Sequence, residues 1–420
     1  MNELANRVLA DCQVIAGMTE EPSRITRRFL TTPVHAVHAY LRARMEALGM
    51  QVRVDALGNL RGRWQPAKAT EKALLLGSHI DTVPDAGAYD GVLGVALALA
   101  WIELAQDLSV NFPMEVVAFS EEEGVRFSVP FLGSRAVAGS FDPALLERKD
   151  ESGKTLASAI RSFGLAPELW PEAAIEPAKY MAFVEIHMEQ GPVLEAEDLP
   201  LSAVSAIVGQ GRLTLCFTGQ ANHAGTTPMA LRHDALGAAA EWIVQVESLA
   251  QRTEALVATV GRILVDPNAG NVVPGSVTAS LDLRHVDDSV RGACLKTLLD
   301  SAAHAAALRK VQLQVEVQMD QPAVAMDSAW TARIVAAMEA TGFPARTMTS
   351  GAGHDAMILA QALPTTMLFL RTPSGISHHP TETVRAQDVE AALAVGRAFL
   401  LGLHGEIQRQ GSLDSRRLLA

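Results

Sequence analysis

Three short apolar runs in the first half of the chain, residues 73–76, 115–119 and 182–186, each stop at a knot of polar side chains, with helical patterns between them. Runs of that length read as buried strands, and strands alternating with helices build a largely parallel sheet flanked by helices. The knots are Ser78, His79 and Asp81, then Glu121 to Glu123, then His187 to Gln190. Ligands of open α/β sheets bind beyond the carboxyl ends of the strands. One pattern therefore sets the fold class as α/β and places a site.

From about Gly209 the texture changes to period-two alternation, as in Leu213, Leu215 and Phe217. A helix of roughly twenty residues is expected from Leu231, then strands over 255–265 and 276–284, a helix over 288–308 and a strand over 311–319. The order β-α-β-β-α-β predicts a ferredoxin-like α+β domain inserted into the first. After Met326 the α/β texture returns, with a helix over 330–341, a strand over 366–370 and a last helix over 386–403. The expected division is residues 1–208 with 326–420 as one discontinuous domain and 209–325 as the insert. Only the tail, residues 408–420, reads as poorly anchored.

Length agrees with this division, because 420 residues exceed what one core usually supports. A net charge of -12 argues against nucleic acid as a partner, since phosphate-binding proteins concentrate Lys and Arg. Cys12, Cys216 and Cys294 lie far apart, which points to neither a disulfide framework nor a thiolate metal site and fits a reducing compartment. The first eighteen residues read as an amphipathic helix rather than a signal peptide, so a cytoplasmic protein is expected. The alanine-rich run 91–105 contains Glu103 and is shorter than the roughly 20 residues of a membrane span. It is expected to be a buried helix, and no membrane association is expected.

The chemistry lies in the polar knots. In GSHIDTVPDAGAYDG, His79 and Asp81 stand two positions apart at a strand end, so their side chains leave on the same side. This suits a metal-bound imidazole whose other ring N–H is held by Asp81, although a plain hydrogen-bonded pair has the same spacing. Asp90 precedes a helix and would serve equally as its N-cap. Three adjacent carboxylates in FSEEEGVRF repel one another unless a cation neutralises them, yet a solvated loop would also carry them. His187 in EIHMEQG, His354 and Asp355 in SGAGHDAM, and His378 and His379 in SGISHHPTE would each pass singly as structural groups. Together they form the mixed N/O donor set that suits Zn, Mn, Co or Ni. A metal pair needs a bridging carboxylate, and one further carboxylate must stay unligated as general base.

The ordered series GSHIDTVPDAGAYDGVLG, FSEEEGVRF, EIHMEQGPVLE, NHAGTTPM, GNVVPGSV, DLRH, SGAGHDAM and GISHHPTE resembles the dimetal aminoacylase and carboxypeptidase superfamily, most closely its hydantoinase/carbamoylase branch. The resemblance spans residues 24–403 and implies two divalent ions per subunit, Zn or Mn with Co or Ni as options. His79, Asp90 and His187 would bind one and Asp90, Glu123 and His378 the other, with Asp90 as bridge and Glu122 as general base. The branch's first triplet position is aspartate, and here it is Glu121. The resemblance also implies a cis peptide at Asp90–Gly91, unusual for a non-proline bond.

The inserted domain of this branch is a lid that also pairs two subunits, and His223 would reach the partner subunit's active site to polarise the scissile carbonyl. Asn271, Arg284 and Gln190 fall at substrate-binding positions, and an arginine fork such as that of Arg284 suits a carboxylate. The stretch IVGQGRL resembles the allantoate-hydrolysing form, in which Arg212 helps to hold substrate. The implied reaction is hydrolysis of a ureido C–N bond. N-carbamoyl-L-amino-acid hydrolysis and β-ureidopropionase activity are the near alternatives. An aminopeptidase or deacylase, or a catalytically dead ligand-binding relative, lies further off.

Overall fold

Nearly every residue of the helix Val92–Asp107 is buried, Leu93, Leu97, Leu99, Trp101 and Ile102 among them. A helix apolar all round belongs inside a protein. It packs on the strands Ala73–His79, Met114–Phe119 and Tyr180–Met188 and is covered by the helices Asn2–Ala16 and Ala386–Arg417. Each large side chain so buried contributes about 1.5–3 kcal/mol. The segment is thus a core helix, as expected, and no described helix is long and apolar enough to cross a membrane.

This computed structural model describes the backbone of residues 1–417 and the side chains of residues 1–409. By internal contacts the chain forms two compact units, Met1–Ser205 with Met326–Ala420, and Ala206–Ala325. The central sheet of the first unit is mixed. Its middle strands run in the order Met114–Phe119, Ala73–His79, Tyr180–Met188, Thr365–Leu370, all parallel. Gln51–Val54 and Leu60–Trp64 extend one side antiparallel, and Leu201–Ile207 follows Thr365–Leu370 antiparallel on the other. The fully buried faces of the middle strands explain their unbroken apolar runs. Register matters for function: His79 is opposite Phe119, Gly77 opposite Glu185 and Phe369 opposite His187. His79, His187 and the Glu121–Glu123 segment therefore leave the sheet at one edge.

The second unit holds an antiparallel sheet in the order Ile263–Asp266, Ser276–His285, Gly209–Thr218, Gln312–Gln321. The helices Ala235–Arg252 and Asp288–Leu308 pack on each other and on the sheet. Burial alternates along both long central strands, with Leu213, Leu215, Phe217, Val277, Leu281 and Leu283 facing a core around Trp242 and Leu298. This is the ferredoxin-like arrangement. Two details differ from expectation. The strand over 255–265 is two short ones, Val257–Thr259 and Ile263–Asp266, because Ser280 takes the Arg262 N–H with its side-chain oxygen and interrupts the ladder. The helix expected from Leu231 begins at Ala235, where the Asp234 side chain accepts the Gly237 N–H as an N-cap.

The last helix continues past the expected residue 403 to Arg417 with no proline to stop it, so the backbone of 408–417 is helical. Residues 418–420 of the expected loose tail lie outside the described residues.

Candidate metal centre

His79 and His187 end adjacent parallel strands and are 2 % and 1 % exposed. The His79 Nδ1–H donates to the Asp81 carbonyl at 3.0 Å, and the His187 Nδ1–H to the Met188 carbonyl at 2.9 Å. With Nδ1 committed as donor, the neutral ring leaves the Nε2 lone pair free. Those two Nε2 atoms lie 3.4 Å apart, and Asp90 Oδ1 lies 3.6 Å from His79 Nε2 and 3.3 Å from His187 Nε2. Three lone pairs thus face one point, and Asp90 Oδ1 is a buried oxygen without a hydrogen-bond donor. Atoms about 2.0–2.1 Å from a tetrahedral ion stand about 3.3 Å from one another. The spacing fits a divalent metal.

A second set adjoins the first. His378 Nε2 is 3.2 Å from Asp90 Oδ2 and 3.5 Å from Glu123 Oε1. Asp90, Glu123 and His378 can hold a cation between them, as can His79, Asp90 and His187. Asp90 thus offers one oxygen to each set. It does not cap the helix that follows, whose first turn has no side-chain cap.

Electrostatics follow from this crowding. Burial opposes charge on Asp90, but the imidazoles of His187, His378 and His79 around it hold its carboxyl well below the usual range. Burial lowers His79, yet with no cation to share their negative charge Asp90, Glu122 and Asp81 would raise it well above an ordinary imidazole. Asp90 and Glu123 lift His378 to about 9 against partial burial. Burial, reinforced by Asp90, pushes Glu123 up to about 7, and burial with Glu123, Asp355 and Asp81 carries Glu122 well above the carboxylate range. So many carboxylates together favour a cation.

The acidic triplet divides its labour. Glu121 is fully buried, and its Oε1 accepts the N–H groups of Arg126 and Phe127, so it shapes the loop rather than facing the donors. Glu122 stands near His79 and Glu123 without joining either three-residue set that contains Asp90. Asp81 differs from expectation in detail. Its backbone carbonyl, not its side chain, takes the His79 proton, while its carboxylate accepts the N–H of Glu122 and of Glu123, each at 3.1 Å. It thereby fixes the loop against the strand end.

The expected cis bond at Asp90–Gly91 is absent; Asp266–Pro267 is cis among the described residues. The chain instead enters the helix through Gly91 at φ +68°, a conformation open to glycine. A Cβ there would lie 2.5 Å from the His79 ring. At Gly94 the same helix approaches the strands so closely that a Cβ would meet the Ile186 carbonyl oxygen at 2.0 Å. Both glycines let the core helix press Asp90 against the imidazoles.

Gln190 is drawn into the centre. Its amide donates to Asp90 Oδ2 and to Ser377 Oγ, each at 3.1 Å. Behind His187 the structure places a second buried group, drawn from Glu185 and the SGAGHDAM segment, that also shares His187. His354 packs on His187 with ring centroids 4.4 Å apart and pairs with Ser350 Oγ, while Glu185 accepts from Ser78 Oγ and the Ala356 N–H. The Asp355 carboxyl has no hydrogen-bond donor, and burial beside Glu185 holds it well above its usual range. Glu382, the last residue of GISHHPTE, also stands outside the expected set of site residues. It joins the loops that carry Asp90 and His378.

The second unit holds the other expected residues in two places. His223 pairs with Val272 across a short ladder, and the Asn271 carbonyl accepts the Ala224 N–H, so His223 and Asn271 are neighbours. Both are exposed. The His223 Nδ1 accepts the N–H groups of Gly225 and Thr226, which puts the neutral ring's proton on Nε2. On the sheet, Arg212 and Arg284 both bind the Asp282 carboxylate, joined by Gln210.

Paired donor sets of imidazole and carboxylate that share Asp90 at the carboxyl edge of an α/β sheet, with Glu122 beside them, define a metal-dependent hydrolase. Comparison with known proteins makes the class specific. Residues 75–402 match the model of peptidase family M20/M25/M40. A probable allantoate deiminase of Oryza sativa subsp. japonica is 37% identical over 403 residues, covering 88% of this chain and 82% of its own. An N-carbamoyl-L-amino acid amidohydrolase of Geobacillus stearothermophilus is 38% identical over 369 residues, covering 87% and 90%. The crystal structure of a hydantoinase/carbamoylase family amidase from Burkholderia multivorans superposes with a TM-score of 0.89 at 34% identity, covering 95% of this chain and 97% of that one. The chain belongs to peptidase family M20/M25/M40, in its hydantoinase/carbamoylase branch, and is a metal-dependent amidohydrolase of C–N bonds other than peptide bonds.

Proposed function

We propose that this protein hydrolyses the terminal ureido C–N bond of a small carboxylate-bearing substrate, with allantoate the favoured substrate. The observation that carries the reaction type is the pair of donor sets sharing Asp90, with Glu122 beside them and outside both. Divalent ions, Zn or Mn and optionally Co or Ni, would be held by His79, Asp90 and His187 and by Asp90, Glu123 and His378, and would supply Lewis acidity and an activated water. Glu122 takes the proton of the attacking water and returns it to the leaving nitrogen, a task suited to a carboxyl raised by burial and by Glu123. The products are ammonia and a carbamate that decomposes to the amine and carbon dioxide.

Residues 1–208 with 326–420 form the catalytic domain in this reading, and 209–325 the lid and dimerisation domain. His223, neutral and with its Nε2–H turned outward, donates to the developing oxyanion in the partner subunit's site. Dimerisation is supported by Ile263–Asp266, which pairs on one side only among the described residues and exposes Ile263 and Leu264. Arg212, Arg284 and Asn271 take the substrate's carboxylate and polar groups, Arg284 by its fork. Gln190, bonded to Asp90, orients substrate at the ions. The acidic chain leaves nucleic acid out of the account, and a cytoplasmic location fits its three unpaired cysteines.

The second reading, N-carbamoyl-L-amino acids as substrate, is favoured by the Geobacillus relative, which is as near as the plant allantoate deiminase. The test is a screen of purified protein against allantoate, N-carbamoyl-L-amino acids, N-acetyl amino acids and dipeptides, each with Mn, Zn, Co and Ni, measuring ammonia against free amino acid. Ammonia from allantoate above the other compounds is expected. Turnover of carbamoyl amino acids alone would transfer the assignment to the second reading, and turnover of dipeptides alone would overturn the substrate class.

A further inference from the structure

We propose that Glu382 is a positioning residue, a latch that holds the His378 loop against the Asp90 loop and so assembles the donor set of Asp90, Glu123 and His378. The inference rests on the dimetal reading above. Glu382 is 5% exposed and belongs to none of the donor groupings. Its Oε1 accepts two consecutive backbone N–H groups, Tyr89 at 3.1 Å and Asp90 at 3.0 Å. Its Oε2 accepts the Ser377 hydroxyl at 3.1 Å. Its own N–H closes a turn on the His379 carbonyl at 2.9 Å. One side chain thereby joins segments 292 positions apart, each bearing a ligand of the same set.

The two loops need such a tie because their ligands differ in support. Asp90 enters from a buried helix start, 2% exposed. His378 sits on a loop, its side chain 49% exposed, with a left-handed backbone at φ +55° that a non-glycine residue adopts at a cost. Neither its ring nor its backbone is fixed by core packing. Ser377, directly before it, is held from two directions, by Glu382 and by the Gln190 amide that also reaches Asp90. Removing the latch frees the loop while leaving His79 and His187, which end sheet strands, in place. The two ions should therefore respond unequally.

Glutamine at 382 keeps the acceptor for the Tyr89 and Asp90 N–H groups, and its amide nitrogen can donate to the Ser377 oxygen. It separates position from charge. The experiment titrates zinc out of the full-length protein with a competing chelator and counts bound metal in wild type, Glu382→Ala, Glu382→Gln and Ser377→Ala. Residues that orient metal ligands typically contribute about 10–100-fold in affinity. Glu382→Ala is expected to bind the second ion about 10–100-fold more weakly and the first, which shares only Asp90 with the latch, with a clearly smaller loss, while Glu382→Gln binds both as wild type does. If Glu382→Ala does not fold, Ser377→Ala carries the test, with selective weakening of the second ion expected. Wild-type affinity for both ions in Glu382→Ala or, failing that protein, in Ser377→Ala overturns the latch. Equal loss in the Gln and Ala variants overturns it in favour of charge. Fewer than two ions in wild type would remove the dimetal reading itself, and the latch with it.

Discussion

Gly91→Ala tests whether the core helix sets the position of His79. Gly91 is at φ +68°, and an added Cβ would stand 2.5 Å from ring atoms Cε1 and Nδ1 of His79 and 2.6 Å from Cδ2. The left-handed helical well costs a non-glycine residue about 1–2 kcal/mol, and Gly91, with ψ −53°, lies outside that well, so alanine there costs at least as much. The collision adds to that, because ordinary contact needs the ring to retreat by about 1 Å. His79 is 2% exposed and its Nδ1 is tied to the Asp81 carbonyl, so the retreat breaks that bond and moves Nε2 off the point it shares with His187 and Asp90. Disturbing what orients a metal ligand costs about 10–100-fold, or about 1.4–2.7 kcal/mol in affinity for the first ion. Gly49→Ala is the control: its φ is +70°, but no atom lies within 4 Å of the added Cβ. Zinc titration with a competing chelator, beside urea unfolding of the metal-free proteins, reads both effects. Gly49→Ala should lose about 1 kcal/mol of stability and no metal affinity, whereas Gly91→Ala should lose both. Undiminished affinity for two ions in Gly91→Ala would refute the reasoning.

Other outcomes follow from the same geometry. Glu122→Gln should keep its metal content and lose turnover by about 10²–10⁴-fold, since the proton carrier goes while the ligands stay; near-normal turnover with metal bound would remove Glu122 from its role. Chelator treatment should lower the melting temperature by roughly 10 °C if both ions were held at about 1,000 times their dissociation constants, because about 8 kcal/mol of binding, about 4 for each ion, is lost; a melting curve unchanged by chelator would contradict a resident cation. His38, buried on the helix Thr32–Ala47 with its Nε2 unpaired, is depressed to about 4 by burial and by His35 and Arg42. The unfolded imidazole titrates near 6.5, so the stability of the neutral form is present above that pH and is lost as pH falls toward 4. Between pH 7 and 5 the loss is about 2 kcal/mol. Urea midpoints should show His38→Leu escaping that part of the acid loss, and an identical pH slope in both proteins would contradict it.

Much of the fold was legible because it is written in periodicity. The buried parallel strands show as unbroken apolar runs, and the helix over 288–308 and the alternation of Leu213, Leu215 and Phe217 stand in the structure as read. The five residues of the two donor sets were picked out by motif resemblance, because position alone, each at the end of a strand or in a turn, also suits a structural group. Less legible was anything decided by where a side chain finally turns. Glu121 and Glu122 are identical and adjacent, yet one is spent on the N–H groups of Arg126 and Phe127 while the other stays beside His79. For Asp81, whether backbone or carboxylate holds the imidazole depends on the rotamer that the Glu122 and Glu123 N–H groups impose. The trans bond after Asp90 reflects how Gly91 uses positive φ to enter the helix, which residue type permits but does not specify. Glu382 was invisible as a latch because two of its three side-chain partners are backbone N–H groups nearly three hundred positions away.

The central claim is that His79, His187, Asp90, Glu123 and His378 surround two cations that share Asp90. Crystals grown with zinc, with anomalous differences collected on both sides of the zinc absorption edge, test it directly. Two peaks about 3.5 Å apart are expected, one against His79 Nε2, His187 Nε2 and Asp90 Oδ1, the other against His378 Nε2, Glu123 and Asp90 Oδ2. A loaded protein with no peak among these side chains, or with its zinc elsewhere, would contradict the account.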